Sequence, residues 1–158
     1  MLGYFDNQTA TESSFNRDGW FMSGDLGRID QDGNLHIEGR LKDMIIRGGH
    51  NIYPSHIEAL ALRHAGVTKV ACFPVADPRL GERVCIAIIG SAEPDDLLNT
   101  LASEGLSRFD MPEYFIRLEE FPLTASGKVL KRELAKMVER GEISPVAVSY
   151  RAKKTPAA

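Results

Sequence analysis

The sequence predicts an α+β fold: a short mixed sheet with packed helices over residues 41 to 141, preceded by a β-hairpin. Three observations carry this prediction. Apolar and polar residues alternate on both sides of an Asp32-Gly33 pair in "LGRIDQDGNLHIEG", the strongest short-range hairpin signal a sequence offers. Two apolar runs, "VTKVACFPV" and "ERVCIAIIG", flank the loop "ADPRLG" and read as neighbouring strands. Segments with helical signals stand on either side of those strands, so helices and sheet share one core.

Taken in order, residues 1–19 are polar and turn-rich with no buried face of their own, and read as the end of something larger. Strands follow near 26–31 and 34–39. After "GRLKD" comes a short strand, "MIIR", and then a Gly48-Gly49 break. In "NIYPSHIEALALRH", Ser55 and Glu58 have capping-box spacing for a helix reaching about His64. The paired apolar runs are followed by a helix from about Asp95 to Ser103, a strand "YFIRLEEF", and a last helix from near Val129 to about Arg140. Residues 142–158 read as a loose tail.

Composition narrows the function. The chain has 158 residues, 43% hydrophobic and 26% charged, enough for one domain plus a piece of another. No apolar run approaches the ~20 residues of a membrane span, and the start lacks the regions of a signal peptide, which predicts a cytoplasmic protein. Cys72 and Cys85 lie in apolar runs without Cys-x-x-Cys spacing and read as small core residues. His36, His50, His56 and His64 form no His-Glu-x-x-His pattern, so no protein-held metal is expected. Residues 1–39 hold two basic and seven acidic side chains, while the remainder hold seventeen basic and fifteen acidic. That mild positive balance suits an anionic small ligand and falls short of a nucleic-acid patch.

The segment "PLTASGKVLKREL" places Lys128 between a Thr-Ala-Ser-Gly run and a charged helix. It is not a Walker loop, since Pro122 and Val129 stand where that motif needs glycine and Ser or Thr. By itself such a lysine reads as a solvated turn.

Together with "GYFDNQTATESSFNRDGWFMSGDLG" and "GRLKDMIIRGGHNIYPSHIE", in that order, the lysine segment resembles the C-terminal part of the acyl-adenylate-forming enzymes. That superfamily holds the AMP-binding acyl-CoA synthetases, the luciferases and the peptide-synthetase adenylation domains. The likeness covers nearly the whole chain. It implies that residues 1–40 are the tail end of a large N-terminal AMP-binding domain and that residues 41–141 are the mobile C-terminal domain.

The same resemblance implies roles. Asp25 in "SGDL" is similar to the carboxylate that accepts hydrogen bonds from the ATP ribose, and Arg40 to an arginine that also reaches the nucleotide. Alone, the first would read as a turn aspartate and the second as a strand-end charge. Lys42 matches the hinge, and Lys128 the catalytic lysine that contacts both the substrate carboxylate and the ATP phosphate. Gly48 and Gly49 border the implied CoA channel, or simply make a tight turn. Phe109 stands where some relatives stack an aromatic on the CoA adenine, or else is core. Relatives often carry Lys or Arg around that segment, whereas this chain has Asp110 and Met111, leaving Arg108 as the nearest basic residue.

The implied function is an acid–thiol ligase that uses ATP and CoA as substrates, with Mg2+ accompanying ATP and not held by this chain. The acyl pocket belongs to the implied large domain, so the chain reads as a fragment inactive alone, its partners that domain and a carboxylic acid. The lysine segment also resembles the site at which protein acetyltransferases silence acyl-CoA synthetases. Two alternatives stand beside this reading: an adenylation domain that loads a carrier-protein thiol, and a non-enzymatic docking module.

Overall fold

A computed structural model describes residues 2–150, and the chain divides into two compact units with the boundary between Lys42 and Asp43. The first unit opens with a helix where the sequence showed only turns, α1 at Gln8–Ser13. Asn7 caps it, its side-chain oxygen accepting the Ala10 N–H at 2.9 Å. None of its residues is buried, so there was no apolar periodicity to read. The hairpin follows as expected, β1 at Asp25–Ile29 antiparallel to β2 at Leu35–Arg40. Asp30 organises the turn: its carboxylate accepts the N–H groups of Asp32 and Asn34 at 3.0 and 2.8 Å. It also meets His36 Nε2 at 2.7 Å, and the His36 contact leads the causes that hold this carboxyl below its ordinary value. A single 3-10 turn, Leu41–Asp43, comes next in the chain.

The second unit runs β3 (Ile45–Arg47), β4 (His50–Ile52), α2 (Pro54–Ala61), β5 (Val67–Asp77), β6 (Gly81–Gly90), α3 (Pro94–Ser103), β7 (Tyr114–Arg117), α4 (Lys131–Glu139) and β8 (Val146–Ala147). Its six-stranded sheet has the order β4-β3-β6-β7-β8, with β5 also paired to β6. The β6–β7 pair is parallel and every other pair antiparallel, so the sheet is mixed. Its parallel pair needs a crossover, which α3 supplies.

Both faces of the long β5–β6 ribbon are covered, and the period of two along each strand decides which residue goes where. Cys72, Val84, Ile86 and Ile88 pack in one cluster with Ile57 and Leu60 of α2 and Leu97 and Leu101 of α3. Ala71, Phe73, Cys85 and Ala87 pack in another with Leu134 of α4 and Ile116 of β7. The two cysteines are therefore free, buried core residues in separate clusters. Loss of water around the thiol pushes Cys85 up to about 12 and Cys72 well above its ordinary value.

Four expectations need correction. The Ser55–Glu58 capping box does not form, because Pro54 occupies the first helical position, the N-cap falls on Tyr53, and no side chain caps the helix. The Glu58 carboxylate is drawn instead to the Cys72 N–H at 2.6 Å and to Lys131 Nζ at 2.7 Å. The strand expected from "YFIRLEEF" stops at Arg117. The last helix starts at Lys131, two residues later than its apolar pattern suggested. Finally, the tail is not loose at its start: Val146 and Ala147 pair with Phe115 and Tyr114, and the Val148 N–H donates to the Glu113 carbonyl at 2.9 Å. Residues 151–158 of that tail lie outside the described residues.

Candidate active site

The sequence-assigned residues fall into three groups. In the first unit, Asp25 and Arg40 stand opposite each other in the β1–β2 register, with Arg40 Nε 3.3 Å from Asp25 Oδ1. The Asp25 N–H donates to Ser23 Oγ at 3.1 Å, which fixes the start of the strand. Both side chains keep solvent exposure, 33% for Asp25 and 49% for Arg40, so neither is consumed by the core. A carboxylate acceptor beside a forked donor can engage hydroxyls and phosphate oxygens at once. Lys42 is exposed in the 3-10 turn that follows.

The second group lies at one corner of the sheet. Gly48 and Gly49 form the two-residue loop between β3 and β4, with φ of 58° and 88°. Positive φ at both central positions is the hairpin geometry that glycine enters without a Cβ clash. The Gly48 N–H donates to the Leu80 carbonyl at 2.8 Å. Beside this loop, the His50 and Phe109 rings meet edge to face, centroids 6.2 Å apart, and His50 Nε2 lies 2.7 Å from Asp110 Oδ1. Phe109 is 70% exposed and so is not a core residue, whereas Met111 is buried.

This corner explains the acidic residue found where a basic one was expected: Asp110 is engaged by His50. The basic groups of the corner are Arg47 and Arg108, which line a cavity of about 200 Å³ with Glu113 and Tyr150. Arg47 donates to the Phe109 carbonyl and pairs with Glu113 at 3.2 Å. The sequence reading missed Arg47 and His50. Their partners lie about sixty positions away, and no spacing rule reaches that far.

The third group is the lysine loop. Residues 122–130 double back on themselves: Leu123 and Val129 form an antiparallel bridge, and the Leu130 N–H donates to the Pro122 carbonyl at 2.8 Å. Inside it, the Thr124 N–H donates to the Lys128 carbonyl at 2.8 Å, and the Lys128 N–H donates to Thr124 Oγ1 at 3.0 Å. Gly127, with φ of 78°, makes the reversal. The segment is a closed turn that presents the Lys128 side chain to solvent. That ammonium has no hydrogen-bond or ion-pair partner among the described residues.

Residues 56–128 match the family model of the AMP-binding enzyme C-terminal domain. The chain carries that domain. Among proteins similar to it, the putative acyl-CoA synthetase YngI of Bacillus subtilis is 40% identical over 137 residues, covering 85% of this chain and 25% of that protein. ATP-bound MatB from Rhodopseudomonas palustris superposes with a TM-score of 0.74 at 34% identity, covering 87% of this chain and 28% of that one. The o-succinylbenzoate CoA synthetase MenE of Bacillus subtilis, in complex with its acyl-adenylate intermediate, superposes with a TM-score of 0.78 at 32% identity, covering 85% and 28%. This chain thus spans about a quarter of the length of the curated relatives it matches.

Among the described residues no group of three or more His, Cys, Asp or Glu side chains is placed to hold a metal ion. No helix among them is long and apolar enough to cross a membrane.

Proposed function

We propose that this chain is the closing, mobile part of an ATP-dependent acyl-CoA synthetase, which joins a carboxylic acid to CoA through an acyl-adenylate. The observation that carries the proposal is Lys128, an exposed ammonium without a partner at the tip of a closed loop. In the first half-reaction a carboxylate oxygen attacks the α-phosphorus of ATP and pyrophosphate leaves. Nucleophile and electrophile are both negative there, so a cation that touches both holds them in line and offsets the charge that builds in the transition state. A lysine already bound to a local carboxylate could not do this without first breaking an ion pair.

In the second half-reaction the CoA sulfur attacks the acyl carbon and AMP leaves. We assign that step to the other corner, where the Gly48-Gly49 turn lets a pantetheine chain pass close to backbone and the exposed Phe109 offers a ring to the adenine. Arg108 is the exposed cation there for the CoA phosphates, on a cavity it shares with Arg47, which is tied to Glu113. Asp25 and Arg40 hold the nucleotide, and Lys42 is the hinge that exchanges the two corners at one site. On this reading residues 1–40 complete a large AMP-binding domain, residues 41–141 are the mobile domain, and Mg2+ arrives with ATP. The exposed, unpaired Lys128 is also the residue an acetyltransferase would neutralise to silence the enzyme.

The similarity to proteins named acyl-CoA synthetases supports the choice of CoA as acceptor. The remaining three quarters of those relatives' length supports the further proposal that the isolated chain is inactive. ATP–pyrophosphate exchange across a panel of carboxylic acids tests both, run on this chain and on the full-length protein to which we assign it. Acid-dependent exchange from the long form with silence from the chain is expected. Exchange by the chain alone overturns the division of labour, and silence from both overturns the synthetase reading.

A further inference from the structure

Lys128 is positioned by a chain that begins well away from it in sequence. The internal hydrogen bonds of loop 122–130 fix its shape but not where it sits on the domain. Buried Phe121 and half-buried Val129 pack the two ends of the loop on the core, and α4 adds to that placement, its first turn growing directly out of the loop: the Glu133 and Leu134 N–H groups both donate to the Leu130 carbonyl, at 2.9 and 3.2 Å. Two things anchor that turn. One is Leu134, fully buried on the sheet. The other is Lys131, whose ammonium reaches across to Glu58 of α2, 2.7 Å from Oε1 and 2.9 Å from Oε2.

This is not an ordinary surface pair. The side chains are only 21% and 17% exposed, and the same Glu58 oxygen also accepts the Cys72 N–H of β5 at 2.6 Å. One carboxylate thus ties α2, β5 and α4 at a single point. A half-buried pair is costly to break on one side, because the remaining charge stays desolvated without a partner. Leu134, with Ala135, Met137 and Val138 of the same helix packed on that cluster, holds α4 to the sheet by apolar contacts, which carry little direction. The charge contact three residues after Lys128 adds a directional one.

We propose that the Glu58–Lys131 pair is a positioning device that sets the reach of Lys128 for adenylate formation, without touching substrate itself. The proposal rests on the synthetase reading for its catalytic part and on geometry alone for its structural part. It separates the two lysines of the segment by role: Lys128 is kept unpaired to act, and Lys131 is paired so that Lys128 acts in the right place.

The test has two arms. In this chain, Lys131→Met and Glu58→Gln are compared with the parent by amide hydrogen exchange; the Gln variant keeps an acceptor for Cys72 while removing the charge. Exchange in residues 122–130 should rise about tenfold or more in both variants, with β5 and β6 protected as before. Unchanged exchange in the loop overturns the proposal whatever the enzyme does. In the full-length protein, Lys131→Met should slow adenylate formation about tenfold, leave thioester formation from supplied acyl-adenylate within about twofold, and recover in Lys131→Arg. Equal loss in both half-reactions, or no rescue by Arg, reduces the pair to a fold-stabilising contact and overturns it. Loosened loops in both variants, beside a full-length parent that shows no ATP–pyrophosphate exchange, would leave the positioning contact standing and sink the synthetase reading instead.

Discussion

The lysine loop and the Gly48-Gly49 corner are built on opposite principles. The loop closes by its own hydrogen bonds and leaves the Lys128 side chain without a partner among the described residues. The corner does the reverse: His50 meets Asp110, Arg47 meets Glu113 and the Phe109 carbonyl, and beside these tied groups the Phe109 ring and Arg108 are exposed. A lone cation suits a transition state in which charge is made and lost within one step. A cross-tied surface suits a long ligand that must be held along its length, because ordering costs fall when the receiving groups are already fixed.

The comparison predicts different sensitivities. Replacing Lys128 by Gln, which keeps a polar side chain but removes the charge, should lower ATP–pyrophosphate exchange of the full-length enzyme by about 10²-fold, the scale of losing one transition-state contact. Phe109→Ala should leave exchange untouched and raise the KM for CoA by about tenfold, as expected for one lost stacking contact. An exchange defect in that variant would erase the distinction between the two ends. Gly48→Ala should be felt as stability: a Cβ there meets Leu80 Cδ2 at 3.2 Å in a backbone conformation with φ of 58°. A cost of about 1–2 kcal/mol is expected, read as a lower midpoint in thermal or urea unfolding of this chain.

The smallest effect is a pH dependence near the corner. The Leu80 N–H and Arg83 hold the Asp77 carboxyl below its ordinary value of 3.8, the Leu80 bond first. A carboxylate favoured in the folded state contributes stability above that value and loses it as pH falls toward the lowered one. Acid unfolding of Asp77→Asn should therefore be less steep below about pH 4 than that of the parent. Identical acid limbs would show that Asp77 does not take part.

Much of this was legible from residues alone, and the reasons differ by segment. The β5–β6 ribbon was visible because both faces are buried and the apolar runs are continuous. The β1–β2 hairpin was visible because Asp32-Gly33 interrupts a strict alternation. Helix α1 was not, since a helix held by an Asn7 cap with no buried side leaves no pattern. The Ser55–Glu58 motif misled because Pro54 shifted the helix start and left Glu58 to find partners in β5 and α4. Strand β8 escaped because two exposed residues gain their place only by pairing with β7. Of the candidate site, single residues inside a local motif could be singled out in the sequence, while the contacts of Arg47 with Glu113 and of His50 with Asp110 exist only once the fold joins distant positions.

The most direct test of the account is to time the two half-reactions separately in the full-length protein carrying Lys128→Ala. The account predicts that acyl-adenylate formation falls by about 10²-fold, while conversion of supplied acyl-adenylate to the CoA thioester stays within about threefold of the parent. Equal loss in both steps would contradict it, because the lysine would then serve the fold or the whole site and not the one step for which the loop holds it out.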